Sequence, residues 1–200
     1  MKESLKLILS LGLVCAIGSL ALTQVYQRTL KPIEEANKRA LNESLKLVLP
    51  PETASIERLD ETFFKAFGAD GKLIAYAGQA VGKGGFHGEV KVLVGLSPEG
   101  KILGVMVTEH GETPGLGSKA TDRKAKTSLW QLLAGKAKHE KFPPNPYLDS
   151  FTGRQATGFK YGKGDNGVDG VSGATLSSKA ILRGVNAVCK AFQALPKGNN

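Results

Sequence analysis

The sequence predicts an α+β protein, in which a single N-terminal transmembrane helix precedes one domain with a twisted antiparallel sheet flanked by helices. Three observations predict this class. An uncharged apolar run comes first, short strand-like segments separated by turns follow, and a helical apolar stripe lies near the C-terminus. We divide the 200 residues into a cytoplasmic stub with a membrane anchor (1–28), an amphipathic linker helix (29–51) and an extracytoplasmic domain (52–200).

The anchor prediction rests on residues 7–27, which contain no charged side chain. About 20 apolar residues match the hydrocarbon core of a bilayer. Two lysines before the run are balanced by Arg28 and Lys31 after it, so the positive-inside rule orients the helix only weakly. We expect the short stub to stay in the cytoplasm and the rest of the chain to lie outside. A signal peptide cleaved near Ala21 is the alternative, but the run is longer than a usual signal segment, which favours a retained anchor.

The segments after the anchor are assigned by their periodicity. Residues 31–48 carry apolar side chains on one helical face, and two consecutive prolines then end the helix. The next segments change to strand-like patterns, and the first two flank a Gly-Ala-Asp-Gly turn typical of a hairpin. The predicted strands are residues 62–67, 72–80, 89–96 and 101–108. The middle of the chain is therefore expected to be an antiparallel meander of about four strands.

The second half alternates helices with glycine-rich and proline-rich connections. We predict a helix over residues 122–133 and an irregular, extended connection at 143–146. Residues 151–160 are predicted to form a further strand, and residues 161–170 a loop. The last helix is predicted to span residues 176–194. Its apolar stripe consists of Leu176, Ala180, Ile181, Val185, Val188, Cys189 and Phe192.

Charge, cysteine and histidine usage argue against several classes of function. Lys and Arg together number 27 against 18 Asp and Glu, but they are scattered and not interleaved with aromatic residues. This pattern argues against nucleic-acid binding and favours contact with anionic lipid or an acidic protein. Cys15 in the apolar run and Cys189 on the last helix are not expected to form a disulfide. The three histidines, His87, His110 and His139, lack metal-ligand spacing, so no metal site is predicted.

Residues 169–178 run from a glycine-rich loop into the start of the last helix. The first backbone N–H groups of a helix lack internal partners and lie at the positive end of its dipole, which predicts an anion-binding site. Gly173 lets the backbone approach a phosphate, and Ser172, Thr175 and Ser177 are among the residues that supply hydroxyls. Serine and threonine at a helix start are also typical of ordinary caps. Residue types alone leave both interpretations open.

Three motifs resemble one family. The Ser-Gly-Ala-Thr sequence at 172–175 resembles the flavinylation motif of FMN-binding domains, which occur in the G subunit of the Rnf electron-transport complex and the C subunit of the sodium-pumping NADH:quinone reductase. The Glu-Thr-Pro-Gly-Leu-Gly sequence at 112–117 resembles a second motif of this family, and the glycine-rich segment 82–86 resembles a third less distinctively. The resemblance covers nearly the whole chain. The chain length and single anchor are closer to the Rnf protein.

The resemblance implies one covalently bound FMN per chain. Its phosphate would be esterified to the hydroxyl of Thr175 by a separate flavin transferase, since a threonine hydroxyl is a weak nucleophile without an outside base. The residues implied around the phosphate and ribityl chain are Ser172, Gly173, Ala174, Leu176 and Ser177. The residues implied on the ring side of the site are Glu112, Thr113, Gly115, Leu116 and Gly117.

The ring-side segment also has a local interpretation. Gly115 follows a proline, and this pair is typical of a type II turn with positive φ at the glycine. Such a turn would place Leu116 on the face of the flavin ring, and Glu112 and Thr113 at its polar edge. His110 is a further candidate neighbour of the flavin. Alternatively, the segment is a plain strand-to-helix turn in which Glu112 caps the backbone.

The family implies an electron carrier in a membrane-bound, ion-translocating ferredoxin:NAD oxidoreductase. The chain would be redox-active but not catalytic alone, and its soluble domain would lie on the periplasmic side of the cytoplasmic membrane. Its partners would be the other membrane subunits and, during maturation, the flavin transferase. No Rossmann fingerprint is present, so NAD binding would fall to another subunit. The alternatives are a stand-alone anchored flavoprotein reductase and, in another class, an anchored sensory module that holds a free anion reversibly.

Overall fold

A computed structural model describes residues 2–123 and 142–195. The chain separates into two compact units, Met1–Asn42 and Glu43–Asn200. Helix α1, Lys2–Val48, runs without a break through Pro32. Its N-terminal part is apolar and exposed, and it is long and apolar enough to cross a membrane. The predicted helix over 31–48 is confirmed, and it ends before the two prolines as expected.

A five-stranded antiparallel sheet forms the centre of the second unit. Its strands are β1 (Thr53–Arg58), β2 (Phe63–Gly68), β3 (Leu73–Gly85), β4 (Gly88–Leu96) and β5 (Ile102–His110), and their spatial order is their order in the chain. The predicted meander and all four of its strands are confirmed. The sequence interpretation missed β1 because that strand has only one apolar residue larger than alanine, Ile56, and therefore no strong alternation.

The remaining elements are short, except for the last helix. They are α2 (Ser118–Thr121), α3 (Pro146–Asp149), a parallel pair of two-residue strands, β6 (Lys160–Tyr161) and β7 (Gly167–Val168), and α4 (Thr175–Ala194). The predicted last helix is thus confirmed within one residue. The predicted loop over 161–170 is largely irregular, although it contains the β7 strand.

One sequence prediction in this half is wrong, and another is confirmed over most of its length. Residues 151–160 form no continuous strand, because Gly153 and Gly158 adopt φ of +82° and +96° and interrupt an extended backbone. A single bridge between Gln155 and Lys101 is the strand-like pairing found before β6. The connection at 143–146 is irregular only to Asn145, whose Oδ1 caps α3 by accepting hydrogen bonds from two backbone N–H groups.

The predicted helix over 122–133 lies mostly outside the described residues, as does His139. Its first two positions, Asp122 and Arg123, are described and are not helical. The Arg123 side chain packs over the ring of Phe142 and bonds the carbonyl oxygen of Val105. Burial lowers the pKa of Arg123, and an ion pair with Asp149 opposes that effect.

Helix α4 packs against β3 and β4 through its predicted apolar stripe. Six of the seven stripe residues are buried, and Leu176 at the helix start is exposed. Helix α4 and strand β3 approach each other closely at two glycines, Gly82 in the strand and Gly184 in the helix. A methyl group at Gly82 would overlap the carbonyl oxygen of Ala180, and one at Gly184 would overlap the side chain of Val92. The missing side chains let the backbone of α4 lie directly on β3.

The Cys189 thiol lies inside this packed face. Burial raises the pKa of Cys189 to about 11, so the thiol stays protonated at pH 8. In a Cys15→Ser chain, we expect no maleimide labelling of the folded protein at pH 8 and one label per chain after unfolding in urea. Labelling is measured by mass spectrometry. Equal labelling rates for the folded and the unfolded chain would contradict the burial of Cys189.

Candidate functional site

The start of α4 differs from a capped helix. Its N-cap is Ala174, whose methyl side chain cannot accept a hydrogen bond, and Thr175 is the first helical residue. The preceding turn is closed by a 2.9 Å hydrogen bond from the Ala174 N–H to the carbonyl oxygen of Val171, with Gly173 at φ +79°. Among the described residues, the backbone N–H groups of residues 175–177 have no hydrogen-bond partner. The alternative that Thr175 is simply a helix cap is therefore not supported.

The hydroxyl groups around this turn are in different states. Ser177 is buried and donates a 2.7 Å hydrogen bond to Glu112. Ser178 is buried, and its Oγ accepts a 3.0 Å hydrogen bond from the Val171 N–H. Thr175 is exposed, and its hydroxyl has no partner among the described residues. The first turn of α4 thus presents one accessible, uncommitted hydroxyl.

Tyr147 on α3 supports the start of α4 from inside the domain. Its phenol donates a 2.6 Å hydrogen bond to the carbonyl oxygen of Ser178. Burial raises the pKa of Tyr147 well above its usual value, so the phenol remains a hydrogen-bond donor over the physiological pH range. This contact holds the first turn of α4 in place.

The segment after β5 forms the turn that its sequence predicted. Gly115 adopts φ +80°, as expected for the glycine of a type II turn, and the Leu116 N–H donates a 3.2 Å hydrogen bond to the carbonyl oxygen of Thr113. The Gly115 N–H donates a 2.8 Å hydrogen bond to the hydroxyl oxygen of Ser118 at the start of α2. The turn projects Leu116 outward with 55% of its surface exposed.

Glu112 joins this turn to two distant segments. One carboxylate oxygen accepts a 2.9 Å hydrogen bond from the Phe86 N–H at the β3–β4 hairpin. The other accepts a hydrogen bond from the Ser177 hydroxyl. Gly117 lies against the same groups, since a methyl group there would overlap the Glu112 carboxylate and the Ser177 hydroxyl. Among the described residues, the Glu112 carboxylate therefore bonds to groups far away in the chain and not to its own turn.

His110 and His87 form hydrogen bonds to the turn, and neither lines the cavity beside it. His110 Nδ1 accepts a 3.2 Å hydrogen bond from the Glu112 N–H, and its Nε2 lies 2.7 Å from Asp122 Oδ1. This arrangement places the ring proton on Nε2, facing the carboxylate. The Thr113 hydroxyl lies 3.3 Å from His87 Nδ1.

A cavity of about 290 Å³ lies between the turn after β5 and the start of α4. This volume is near the lower end of the range for small-molecule pockets, about 300–1,000 Å³. Nine of the eleven predicted site residues line it, and Ser172 and Gly115 do not. The lining residues are Phe86, Glu112, Thr113, Leu116, Gly117, Gly173, Ala174, Thr175, Leu176 and Ser177.

Phe86 is the lining residue that the sequence interpretation did not single out. It stands at the tip of the β3–β4 hairpin and is 64% exposed. Together with Leu116 and Leu176, which is 50% exposed, it forms an apolar opening. An aromatic residue directly after Gly84 and Gly85 was the available signal, because the absence of a side chain at Gly85 lets the hairpin lie against the Glu112 carboxylate.

A family model described as the FMN-binding domain matches residues 85–190, a range that includes every residue lining the cavity. The chain belongs to the FMN-binding domain family. The predicted family resemblance is therefore confirmed, and the family supports FMN as the cofactor.

Relatives with assigned functions are similar over almost the full length. The chain is 27% identical to the G subunit of the Na(+)-translocating ferredoxin:NAD(+) oxidoreductase complex of Acetobacterium woodii, over 98% of this chain and 95% of that protein. It is 28% identical to the G subunit of the ion-translocating oxidoreductase complex of Pseudomonas aeruginosa, over 96% and 90% of the two chains. Among solved structures, NqrC of Shewanella oneidensis matches 74% of this chain and 73% of its own, with 23% identity and a TM-score of 0.45.

The cavity of this FMN-binding domain suits the two ends of FMN. The free N–H groups at the start of α4 are donors for a phosphate, and the helix dipole favours its negative charge. The exposed side chains of Phe86, Leu116 and Leu176 offer apolar surface to a planar ring. Within the described residues, no group of His, Cys, Asp and Glu is arranged to hold a metal ion.

Proposed function

We propose that this chain is the electron-carrier subunit of a membrane-bound, ion-translocating ferredoxin:NAD oxidoreductase, and that it carries one FMN esterified through its phosphate to Thr175. The observation that carries this proposal is the exposed Thr175 hydroxyl at the edge of the cavity, beside three free backbone N–H groups. A bound flavin exchanges one or two electrons, and the protein binds and orients it.

The chemistry of the attachment favours Thr175 over its neighbours. A phosphodiester keeps one negative charge, and the start of α4 stabilises that charge through the helix dipole and the unpaired N–H groups. Ser177 and Ser178 are buried and already hydrogen-bonded, so an external transferase does not reach them without unfolding the turn. Thr175 needs no rearrangement. We therefore expect a single flavin per chain.

The ring-side residues are proposed to hold the isoalloxazine group. Leu116 and Leu176 would contact the ring, and Phe86 would cover it from the hairpin. These side chains would exclude water from one side of the ring, and the opening would leave it accessible to an electron partner. Thr113 lines the same wall and carries a hydroxyl that can reach a polar ring atom or His87.

The proposed electron donor and acceptor, partners and membrane location follow from the names of the relatives and from the apolar part of α1. The relative from Acetobacterium woodii is a subunit of a ferredoxin:NAD(+) oxidoreductase, which supports the same donor and acceptor for the complex proposed here. The partners would be its other membrane subunits and a flavin transferase. The anchor would be retained in the cytoplasmic membrane, with the domain over residues 52–200 on the extracytoplasmic side.

The intact mass of the purified full chain tests the attachment. We expect chain produced with a flavin transferase to gain the mass of one FMN as a phosphoester, and chain produced without it to have only the mass of its amino acids. The fluorescence is expected to stay with the polypeptide on a denaturing gel. Flavin or any other anion that is released in urea would contradict covalent attachment and favour a reversible binding module.

Co-purification tests the assignment to a complex. A tagged full chain, extracted from its native membrane in mild detergent, is expected to bring down further membrane subunits in fixed ratio. Recovery of a flavin-loaded chain without partners, together with reductase activity, would instead support a stand-alone flavoprotein reductase.

A further inference from the structure

The Glu112 carboxylate is a buried acidic group in the wall of the cavity. Its residue is 6% exposed, and it lines the cavity beside Thr113 and Gly117. Both oxygens accept hydrogen bonds, from the Phe86 N–H and the Ser177 hydroxyl. Two donors and no acceptor suit an ionised carboxylate, which can only accept.

This buried charge has no cationic partner in the part of the chain that the structure describes. None of the ion pairs found between residues 2–123 and 142–195 includes Glu112. His110 directs its Nδ1 to the Glu112 backbone and its Nε2 to Asp122, so neither ring nitrogen bonds to the Glu112 carboxylate. Two hydrogen-bond donors thus stabilise the negative charge of Glu112, and no ion pair among the described residues neutralises it.

We propose that Glu112 tunes the redox cofactor held in this cavity, by placing a fixed negative charge in the wall that lowers its reduction potential. This inference rests on the proposed function, because it requires a flavin in the cavity. Each electron that enters a bound cofactor adds a negative charge unless a proton accompanies it. A buried carboxylate opposes that addition more strongly than an exposed one, because less water screens it.

Ser177 is a positioning residue in this arrangement. Its hydroxyl donates to the carboxylate and so disperses part of the charge, while its backbone belongs to the first turn of α4. Removing the hydroxyl leaves the carboxylate with one donor and a stronger field in the cavity. Glu112 and Ser177 are therefore expected to shift the potential in opposite directions when each is replaced, which a purely structural contact does not predict.

Glu112→Gln is the informative variant because it keeps the size and shape of the side chain. The amide oxygen can accept from the Phe86 N–H, and the amide nitrogen can donate to the Ser177 hydroxyl, which also accepts. Glu109→Gln is the matched control. Glu109 lies three residues earlier, is exposed and pairs with Lys91, so its replacement removes the same charge from the surface.

The test is a spectroelectrochemical titration of the full, flavin-loaded chain in detergent at one pH. Intact mass first establishes that each sample carries one flavin. For Glu112→Gln, we expect the ratio of oxidised to reduced flavin at a fixed potential to fall about tenfold, which is about +30 mV for a two-electron couple. For Ser177→Ala, we expect the ratio to rise, and for Glu109→Gln to change less than about twofold.

Each result supports or overturns the inference. A Glu112→Gln potential no different from that of Glu109→Gln overturns it, as does a Ser177→Ala shift in the same direction as Glu112→Gln. If Glu112→Gln does not retain flavin, the sign of the Ser177→Ala shift decides. Loss of flavin from both variants also overturns it, since the contact would then be structural. A wild-type chain without flavin is a failure of the proposed function, and the mass measurement detects that before any titration.

Discussion

Replacing Thr175 by alanine is expected to abolish covalent flavin completely, while the chain stays folded. Thr175 is exposed and its hydroxyl makes no hydrogen bond among the described residues, so its loss removes the proposed acceptor without disturbing packing. Alanine is also a good residue within the first turn of a helix. The measurement is intact mass of the chain produced with a flavin transferase, together with circular dichroism of the same sample.

Two further variants make this result specific. Thr175→Ser keeps a hydroxyl at the same position, and we expect at least partial attachment. Thr152→Ala makes the same chemical change at an exposed position away from the cavity lining, and we expect full attachment. Flavin mass retained in Thr175→Ala would mean that another hydroxyl is the acceptor. Ser177 is a poor substitute because it is buried and donates to Glu112.

Replacing Gly82 by alanine is expected to cause a large loss of stability. The new methyl group would overlap the backbone carbonyl oxygen of Ala180, and a backbone atom cannot rotate away as a side chain can. Overpacking of this kind costs about 3 kcal/mol at the upper end of its usual range. The free energy of unfolding is measured by urea denaturation of the detergent-solubilised chain, followed by circular dichroism.

Gly104→Ala is the matched control for this prediction. Gly104 lies in β5 with no neighbouring atom closer than 3.8 Å to the added methyl group, and its φ is not in the left-handed region. We expect its unfolding free energy to change by less than about 1 kcal/mol. Equal effects of the two substitutions would show that α4 does not lie directly on β3. Strand β3 ends at Gly85, next to the cavity-lining Phe86. Gly82→Ala is therefore also expected to displace one wall of the cavity.

The parts of the fold that were predictable are those whose signal is local. The strands from β2 to β5 are short segments of apolar and β-branched residues separated by glycine-containing turns, and α4 has a full apolar stripe, so local sequence identifies them. The edge strand β1 pairs on one side only and leaves most of its residues exposed, which removes the alternation. The incorrect strand at 151–160 has apolar ends, but Gly153 and Gly158 bend the chain between them.

The candidate site was predictable in its two halves and not in their connection. The turn with Gly115 and the start of α4 each carry a local motif, and the cavity lies between them. The hydrogen bond from Ser177 to Glu112 joins residues 65 positions apart, and no periodicity encodes such a contact. The role of Phe86 depends on the same long-range packing. The sequence interpretation placed Glu112 at the ring edge, which stays a prediction, and it did not anticipate that both carboxylate oxygens bond to the protein.

The position of α4 after all five strands has a consequence for biogenesis. A ribosome synthesises the hairpin with Phe86 and the turn with Leu116 well before it reaches Thr175, so the complete pocket exists only after the last helix has been made. Under the proposed attachment, a truncated polypeptide that stops before the last helix has no acceptor and stays colourless. Flavin incorporation would then mark molecules in which the last helix has been made and has packed on the sheet.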